Sequence, residues 1–281
     1  MPFQELFDET LDINSTENYE LTIQASPEEL TFCLLDTIRN KYVLLRSFEA
    51  EDNNYLNGPG IDELISKDDF LTKKYKRTII VMPSRKFTLI PAQLYDPGKK
   101  DEYFSFNHVP EDGQLVLSNK TTDPDAFIIF AVAKSLYEAL SARFPGVLPF
   151  HHTKPLLNHV AHCRKSVNGS YIHLNVEKEF FNLIIFNHDI LKLCNSYNYR
   201  NINDILYYVL NSFKNLEIRQ EETIHLSGLT EKYDDLSSAF SVYVRNLKFN
   251  EPAGNFTFSY VFNENVLHRY LNLFTAINCE S

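Results

Sequence analysis

One order of elements occurs twice in this chain: three strands in succession, a helix, then a fourth strand. In the first copy, Tyr19, Leu21, Ile23 and Ala25 alternate with polar residues, which is the period of a half-buried strand. Ser26-Pro27-Glu28-Glu29 reads as a turn, Leu30 to Asp36 as the second strand and Tyr42 to Ala50 as the third. After Asn57-Gly58-Pro59-Gly60, Ile61 to Tyr75 reads as a helix, and Thr78 to Met82 as a buried strand stopped by Pro83. In the second copy, Tyr171 to Glu177 alternates, with Ile172, Leu174 and Val176 on one side. Phe180 to Phe186 and Ile190 to Cys194 are its second and third strands. A helix follows, with Asn203 as N-cap and Ile205, Tyr208, Val209, Ser212 and Phe213 on one face. Thr223 to Leu226 is the buried fourth strand, ending in Ser227-Gly228. Thr230 then caps a last helix carrying Tyr233, Leu236, Phe240, Tyr243 and Leu247. A meander followed by helical crossovers, made twice, predicts two mixed sheets facing one another across a cleft.

Between the copies, Asp123 and Pro124 are expected to open a helix that runs to about Arg143, apolar on most sides and therefore buried. Pro145-Gly146 ends it; Val147 to Phe150 reads as a strand and Pro155 to Cys163 as a helix. Residues 93–122 have weak periodicity and read as an insertion of loops and short strands. At the C-terminus, Phe256 to Tyr260 reads as a strand and Val266 to Phe274 as a short helix packing back. The expected domains are 1–168, which includes the insertion, and 169–281.

Composition narrows the function classes. Hydrophobic residues make up 44% and charged residues 23%, so the chain can bury a core and is not a disordered segment. The net charge of −10 repels nucleic acid and anionic lipid at long range. The tightest basic cluster, Lys73, Lys74, Lys76 and Arg77, falls at an expected helix end, where cations complement the dipole. Met1 to Asn18 is acidic and polar with no export signal, and no apolar run approaches the ~20 residues of a membrane span. The expectation is a cytoplasmic protein with Cys33, Cys163, Cys194 and Cys279 reduced, and with the triplets at Asn14 and Asn168 as chance glycosylation matches.

The duplicated order resembles the actin-like ATPase superfamily of sugar kinases, Hsp70 chaperones and cell-division and pilus-assembly actin homologues. In detail the chain is similar to a bacterial family of unknown function with an actin-like fold. That likeness lies in Tyr19 to Ala50, Tyr171 to Asn195, Ile224-His225-Leu226-Ser227-Gly228 and Asn278-Cys279-Glu280. It implies an α/β actin-like ATPase fold: two duplicated ribonuclease H-like lobes, each with a mixed five-stranded sheet, around a central cleft. In active members of the superfamily, the turn between the first two strands of each lobe carries an acid followed closely by glycines. The acid serves magnesium or the attacking water, and the glycines let backbone N–H groups approach phosphate. Here the acid positions align with Gln24 and Asn175, and the glycine positions with Ser26, followed by Pro27, and with Glu177. Proline has no N–H to donate, and a glutamate repels an incoming phosphate. The adenosine loop of the superfamily usually has two adjacent glycines, whereas Ser227-Gly228-Leu229 retains one. A shift of one residue in the alignment would bring Asp36, Glu28 or Glu179 nearest, none of them beside a glycine.

Two other constellations carry chemistry-bearing residues. His151-His152, His159, His162 and Cys163 are dense in metal-ligand types, and His159 and Cys163 stand one helical turn apart. No second Cys-x-x-Cys or His pair closes a zinc site, so the structural reading is polar residues near a helix end. Ser227-Gly228 after a buried strand invites comparison with a nucleophile elbow, but His225 occupies the position that motif reserves for glycine. The expectation is therefore a protein with no catalytic residues, no metal and no cofactor: a non-catalytic actin-like scaffold or interaction module that has lost ATP hydrolysis. It would serve an unknown protein partner, with no nucleic acid and no membrane insertion. A divergent ATPase or small-molecule kinase with a rebuilt site is the alternative reading, and a homo-oligomer a third.

Overall fold

A computed structural model describes residues 2–50, 56–167, 169–231 and 234–279. Asn168, Tyr233 and Glu280, each part of an expectation above, lie outside the described residues. The first half runs β1 (Gln4–Phe7), β2 (Tyr19–Ala25), β3 (Glu29–Asp36), β4 (Lys41–Glu49), α1 (Gly58–Lys67), β5 (Arg77–Met82) and β6 (Phe87–Pro91). It continues through α2 (Lys100–Asn107), β7 (Gln114–Thr122), β8 (Asp125–Ala133), α3 (Lys134–Arg143), β9 (Phe150–His151) and α4 (Thr153–Cys163). The second half runs β10 (Ser170–Val176), β11 (Phe180–Asn187), β12 (Ile190–Asn198), α5 (Ile202–Asn215), β13 (Thr223–Gly228), α6 (Asp235–Phe240) and β14 (Asn246–Phe249). The chain closes with β15 (Thr257–Phe258), α7 (Glu264–Arg269) and α8 (Leu271–Thr275).

The duplication is structural. One sheet contains the order β4-β3-β2-β5-β9 and the other the order β12-β11-β10-β13-β14, the same path of three antiparallel strands followed by two parallel ones. The first sheet is widened to seven strands by β1 and β15, both paired to β4. β1 comes from the stretch that composition marks only as acidic and polar. In each lobe the outer face of the sheet is apolar. Leu21 and Ile23 pack with Ile61 and Ile65 of α1, and Ile172, Leu174 and Val176 pack with Ile205 and Val209 of α5. Two helices fill the space between the sheets. Leu156, Leu157 and Val160 of α4 meet Tyr171, Ile184 and Phe186, while Leu273 and Phe274 of α8 meet Tyr42 and Leu45. The C-terminal segment thus crosses back from the second sheet to the first, and the Tyr42 hydroxyl donates to the carbonyl of Phe274 at 2.7 Å.

Several expectations are corrected. The helix from Asp123 is instead strand β8 followed by the shorter α3. In β8, Ile128, Phe130 and Val132 face the main core, while Phe127, Ile129 and Ala131 face α2, so both faces are buried. A run buried on two sides loses its alternation and looks like a buried helix in sequence. Its partner β7 is nine residues long, so the insertion holds helix α2 and the first strand of a long hairpin; β7 and β8 form with β6 a third sheet of order β6-β8-β7. Helix α1 stops at Lys67 because Asp68 turns extended and its carboxylate accepts the amides of Phe70 and Leu71. The basic cluster therefore follows a loop and not a helix end. In α5 the cap is Asn201, which forms a capping box with Asp204, two residues before the expected Asn203. The helix expected from Thr230 is the six-residue α6, capped by Asp234, and Leu247 belongs to β14. Among the described residues all four cysteines are free, and no helix is long and apolar enough to cross a membrane.

Candidate functional site

The β2–β3 and β10–β11 turns occupy equivalent places in the two lobes and have the same backbone. The Ser26 amide donates to the Glu29 carbonyl at 2.9 Å, and the Glu177 amide to the Phe180 carbonyl at 2.8 Å. Both turns border a cavity of about 480 Å³ between the lobes. Gln24, Ser26, Glu177 and Gly228 line it, whereas Asn175 and Ser227 are not on its wall. Sequence reasoning missed Glu49, Arg269 and Asn272, which the fold brings to the same place. Arg269 lies against Glu49 at 3.3 Å, and the Asn272 amide donates to Glu177 at 3.3 Å. Both residues arrive on the returning C-terminal helices, and no local motif announces that contact.

One rung of side chains crosses each sheet just below its turn. In the second lobe the register aligns Ser196, Asn182, Asn175 and Ser227 on four successive strands. Asn182 donates to Asn175 Oδ1 at 3.1 Å, and Asn175 donates to Ser227 Oγ at 3.0 Å, so the rung is a closed chain of hydrogen bonds. In the first lobe the equivalent positions are Ser47, Thr31, Gln24 and Val81. Thr31 and Ser47 bond at 2.8 Å, but Val81 offers no polar atom. The Gln24 amide turns instead to Glu29 at 3.2 Å, and Gln24 Oε1 is left without a partner although the residue is only 5% exposed. These rungs were findable in sequence as polar residues at matching offsets from two hairpin turns.

In the first turn the groups that a phosphate would approach are already engaged. Ser26 Oγ accepts the amides of both Glu28 and Glu29 at 3.1 Å, capping the turn from within. Pro27 supplies no N–H. Gly228 serves packing and not phosphate approach: at φ +84° its Cα sits so close to β10 that a Cβ would lie 2.0 Å from the Val176 carbonyl oxygen. The wall of the cleft is also rich in carboxyl groups. Burial pushes the Glu177 carboxyl up to about 8, with Glu29 and Glu28 adding to the rise and Arg269 opposing it. Glu29 is raised as well, first by burial. Among the described residues no group of three or more His, Cys, Asp or Glu side chains is placed to hold a metal.

The other candidate constellations resolve into a buried polar layer between α4 and the second sheet. Ser227 is fully buried. Asn250 donates to His173 Nδ1 at 2.9 Å, which leaves the His173 proton on Nε2, directed at Ser227 Oγ 3.0 Å away. That direction is opposite to the one that activates a serine, where the imidazole must accept. His225 Nδ1 donates to Asn250 Oδ1 at 3.0 Å and stacks on Tyr171 with centroids 4.1 Å apart. His159 and Cys163 are neighbours at 3.5 Å, and burial lowers the first to about 4 and raises the second. Burial likewise holds His152 and His225 at about 4, and His151 and His173 well below the ordinary value. These are neutral structural histidines.

Solved structures place the fold. A Bacteroides thetaiotaomicron protein with actin-like ATPase fold and unknown function superposes with a TM-score of 0.83 at 23% identity, covering 96% of this chain and 100% of that one. The PilM–PilN type IV pilus biogenesis complex matches at TM-score 0.59 and 13% identity over 92% of this chain and 98% of that one. The ethanolamine utilization protein EutJ from Carboxydothermus hydrogenoformans matches at TM-score 0.50 and 9% identity over 92% and 88%. The chain has the actin-like ATPase fold. No curated protein matches it significantly in sequence. Residues 8–247 match the family described as protein of unknown function (DUF3822), and the chain belongs to that family.

Proposed function

We propose that this protein is a non-catalytic interaction module that keeps the actin-like clamp as architecture. In this reading residues 1–168 and 169–281 form the two jaws, and 257–279 tie the second jaw back to the first. Gln24, Ser26, Asn175, Glu177, Ser227 and Gly228 are then the remnants of a nucleotide site. The observation that carries the proposal is the state of the two turns. One is capped by its own serine and blocked by proline, and the other places the Glu177 side chain on the cleft wall where the superfamily has a glycine. A protein is the ligand class that remains natural for such a clamp; the PilM–PilN neighbour was itself solved as an assembly of proteins.

The test is calorimetric titration with Mg-ATP and Mg-ADP, together with an assay of phosphate release. No heat of binding and no turnover are expected. Micromolar nucleotide affinity, or measurable phosphate release, would overturn the proposal in favour of a rebuilt ATPase or kinase.

A further inference from the structure

The inter-lobe cleft has an imbalance of charge and an unmet acceptor. Among the described residues that line it, carboxylates outnumber cations seven to four. Two of the cations are committed: Lys86 pairs with Glu111, and Arg269 with Glu49. The carboxylates come from both lobes, Glu28 and Glu29 from the first turn and Glu177 and Glu179 from the second. An acidic cluster alone is an ordinary solvated surface. Here an independent feature stands on the same wall: Gln24, 5% exposed, carries an Oε1 with no hydrogen-bond partner. Its own amide hydrogens face Glu29, so the free atom is an acceptor beside further acceptors. A buried carbonyl without a donor is costly, and such atoms are rare unless something supplies the donor.

We infer that the cleft receives a lysine or arginine side chain from a basic segment of a protein partner, held between Glu29 of the first lobe and Glu177 of the second, with Gln24 Oε1 as a neutral acceptor. This rests on the interaction-module reading and names the chemistry of its partner. A multi-donor cation is the group that answers several acceptors at once, and guanidinium does so with five N–H groups in one plane. It also removes the like-charge repulsion between the two turns, so the occupant stabilises the clamp by bridging its jaws. The cavity of about 480 Å³ has room for a side chain and flanking backbone. The raised Glu29 and Glu177 carboxyls agree with the geometry, because a cation between them restores their charge.

The experiment titrates a blocked tetra-arginine peptide into the full chain, with blocked tetraglutamate and spermine as comparators. Tetra-arginine should bind and tetraglutamate should not. The affinity should weaken as salt rises from about 50 to about 200 mM. Glu29→Gln and Glu177→Gln should each weaken it by about tenfold, and Gln24→Leu by a smaller factor. Glu102→Gln, on exposed α2 outside the cleft, should change nothing, which separates a site from general attraction to an acidic protein. Absence of tetra-arginine binding, or equal loss with Glu102→Gln, overturns the inference. Spermine binding more tightly than the peptide in the same cleft would overturn the assignment to a protein segment. Mg-ATP titrated into the same samples keeps the two readings apart. Nucleotide binding defeats the interaction module itself, whereas silence towards both ATP and tetra-arginine defeats only the basic-segment partner.

Discussion

The two rungs below the cleft share one backbone and differ in a single strand. On the second sheet, Ser227 of β13 completes the chain that begins at Ser196, and every side-chain amide atom of Asn175 and Asn182 named in it has a partner. On the first sheet, Val81 of β5 occupies the place of Ser227 and the chain stops at Gln24. A closed polar network inside a sheet rigidifies it, while an open one concentrates unmet hydrogen-bonding capacity at its free end. That free end lies on the cleft wall. The second lobe thus spends its polar residues on structure, and the first leaves one buried acceptor unmet beside the cleft.

The largest effect expected on this contrast is from acid. The second sheet's inner face holds His173 and His225, covered by His159 of α4, and the fold keeps all three neutral. Their folded pKa values lie below the unfolded one, so the stability they contribute is complete above about pH 6.5 and is lost as pH falls toward about 4. Amide exchange followed between pH 7 and 5 should show β10 and β13 losing protection before β2 and β3, which lie away from His151 of β9; simultaneous loss would break the distinction between the lobes.

Gly228→Ala comes next. The new Cβ would strike the Val176 carbonyl at a positive φ, so more than about 3 kcal/mol of stability should be lost, or folding altogether. Denaturant titration reads this directly. Asn175→Ala should cost about 2–3 kcal/mol, because it leaves Asn182 and Ser227 buried without their partner. Gln24→Leu, its first-lobe counterpart, should stay within about 1 kcal/mol of the parent, since removing the unpartnered Oε1 offsets the lost hydrogen bond to Glu29. Equal costs for Asn175→Ala and Gln24→Leu would break the comparison.

Glu177→Gln should act in alkali. The folded Glu177 pKa of about 8 exceeds the unfolded value of 4.5, so the stability tied to its protonated form is complete below about pH 4.5 and is lost as pH rises through about 8. The charged groups that face it are Glu28 and Glu29 from the opposite turn and Arg269 from α7, with the Tyr199 hydroxyl on its own carbonyl. Relative to the parent, the variant should gain about 1–3 kcal/mol at pH 9 and little at pH 5, as read from denaturation midpoints. The smallest effect is for Val81→Thr, which would carry the hydroxyl of the second lobe's rung into the first. Stability should change by under about 1 kcal/mol. Tetra-arginine affinity should fall as Gln24 Oε1 acquires a partner.

Much of this molecule could be read along the chain. The repeated alternation of Tyr19 to Ala25 and Tyr171 to Val176, with turns at Ser26 and Glu177, is local information: pleat period and turn chemistry act over a few residues. From it follow the two meanders and the resemblance to actin-like ATPases. Where burial is two-sided, as in β8, periodicity vanished and the strand looked like a helix. Where a cap decides, as at Asp68 and Asn201, the boundary depended on which of several polar residues the backbone reached first.

Only the tertiary structure decided what stands in the cleft. Arg269 and Asn272 meet Glu49 and Glu177 because the C-terminal helices return across the molecule, and Gln24 lacks a partner because β5 places Val81 beside it. Contacts between residues far apart in sequence depend on strand register and helix docking, which burial of the whole core sets at once. The sequence by itself determined two copies of a sheet with equivalent turns at Ser26 and Glu177. Packing turned one polar rung into a closed chain and left the other with an unmet acceptor on the cleft wall.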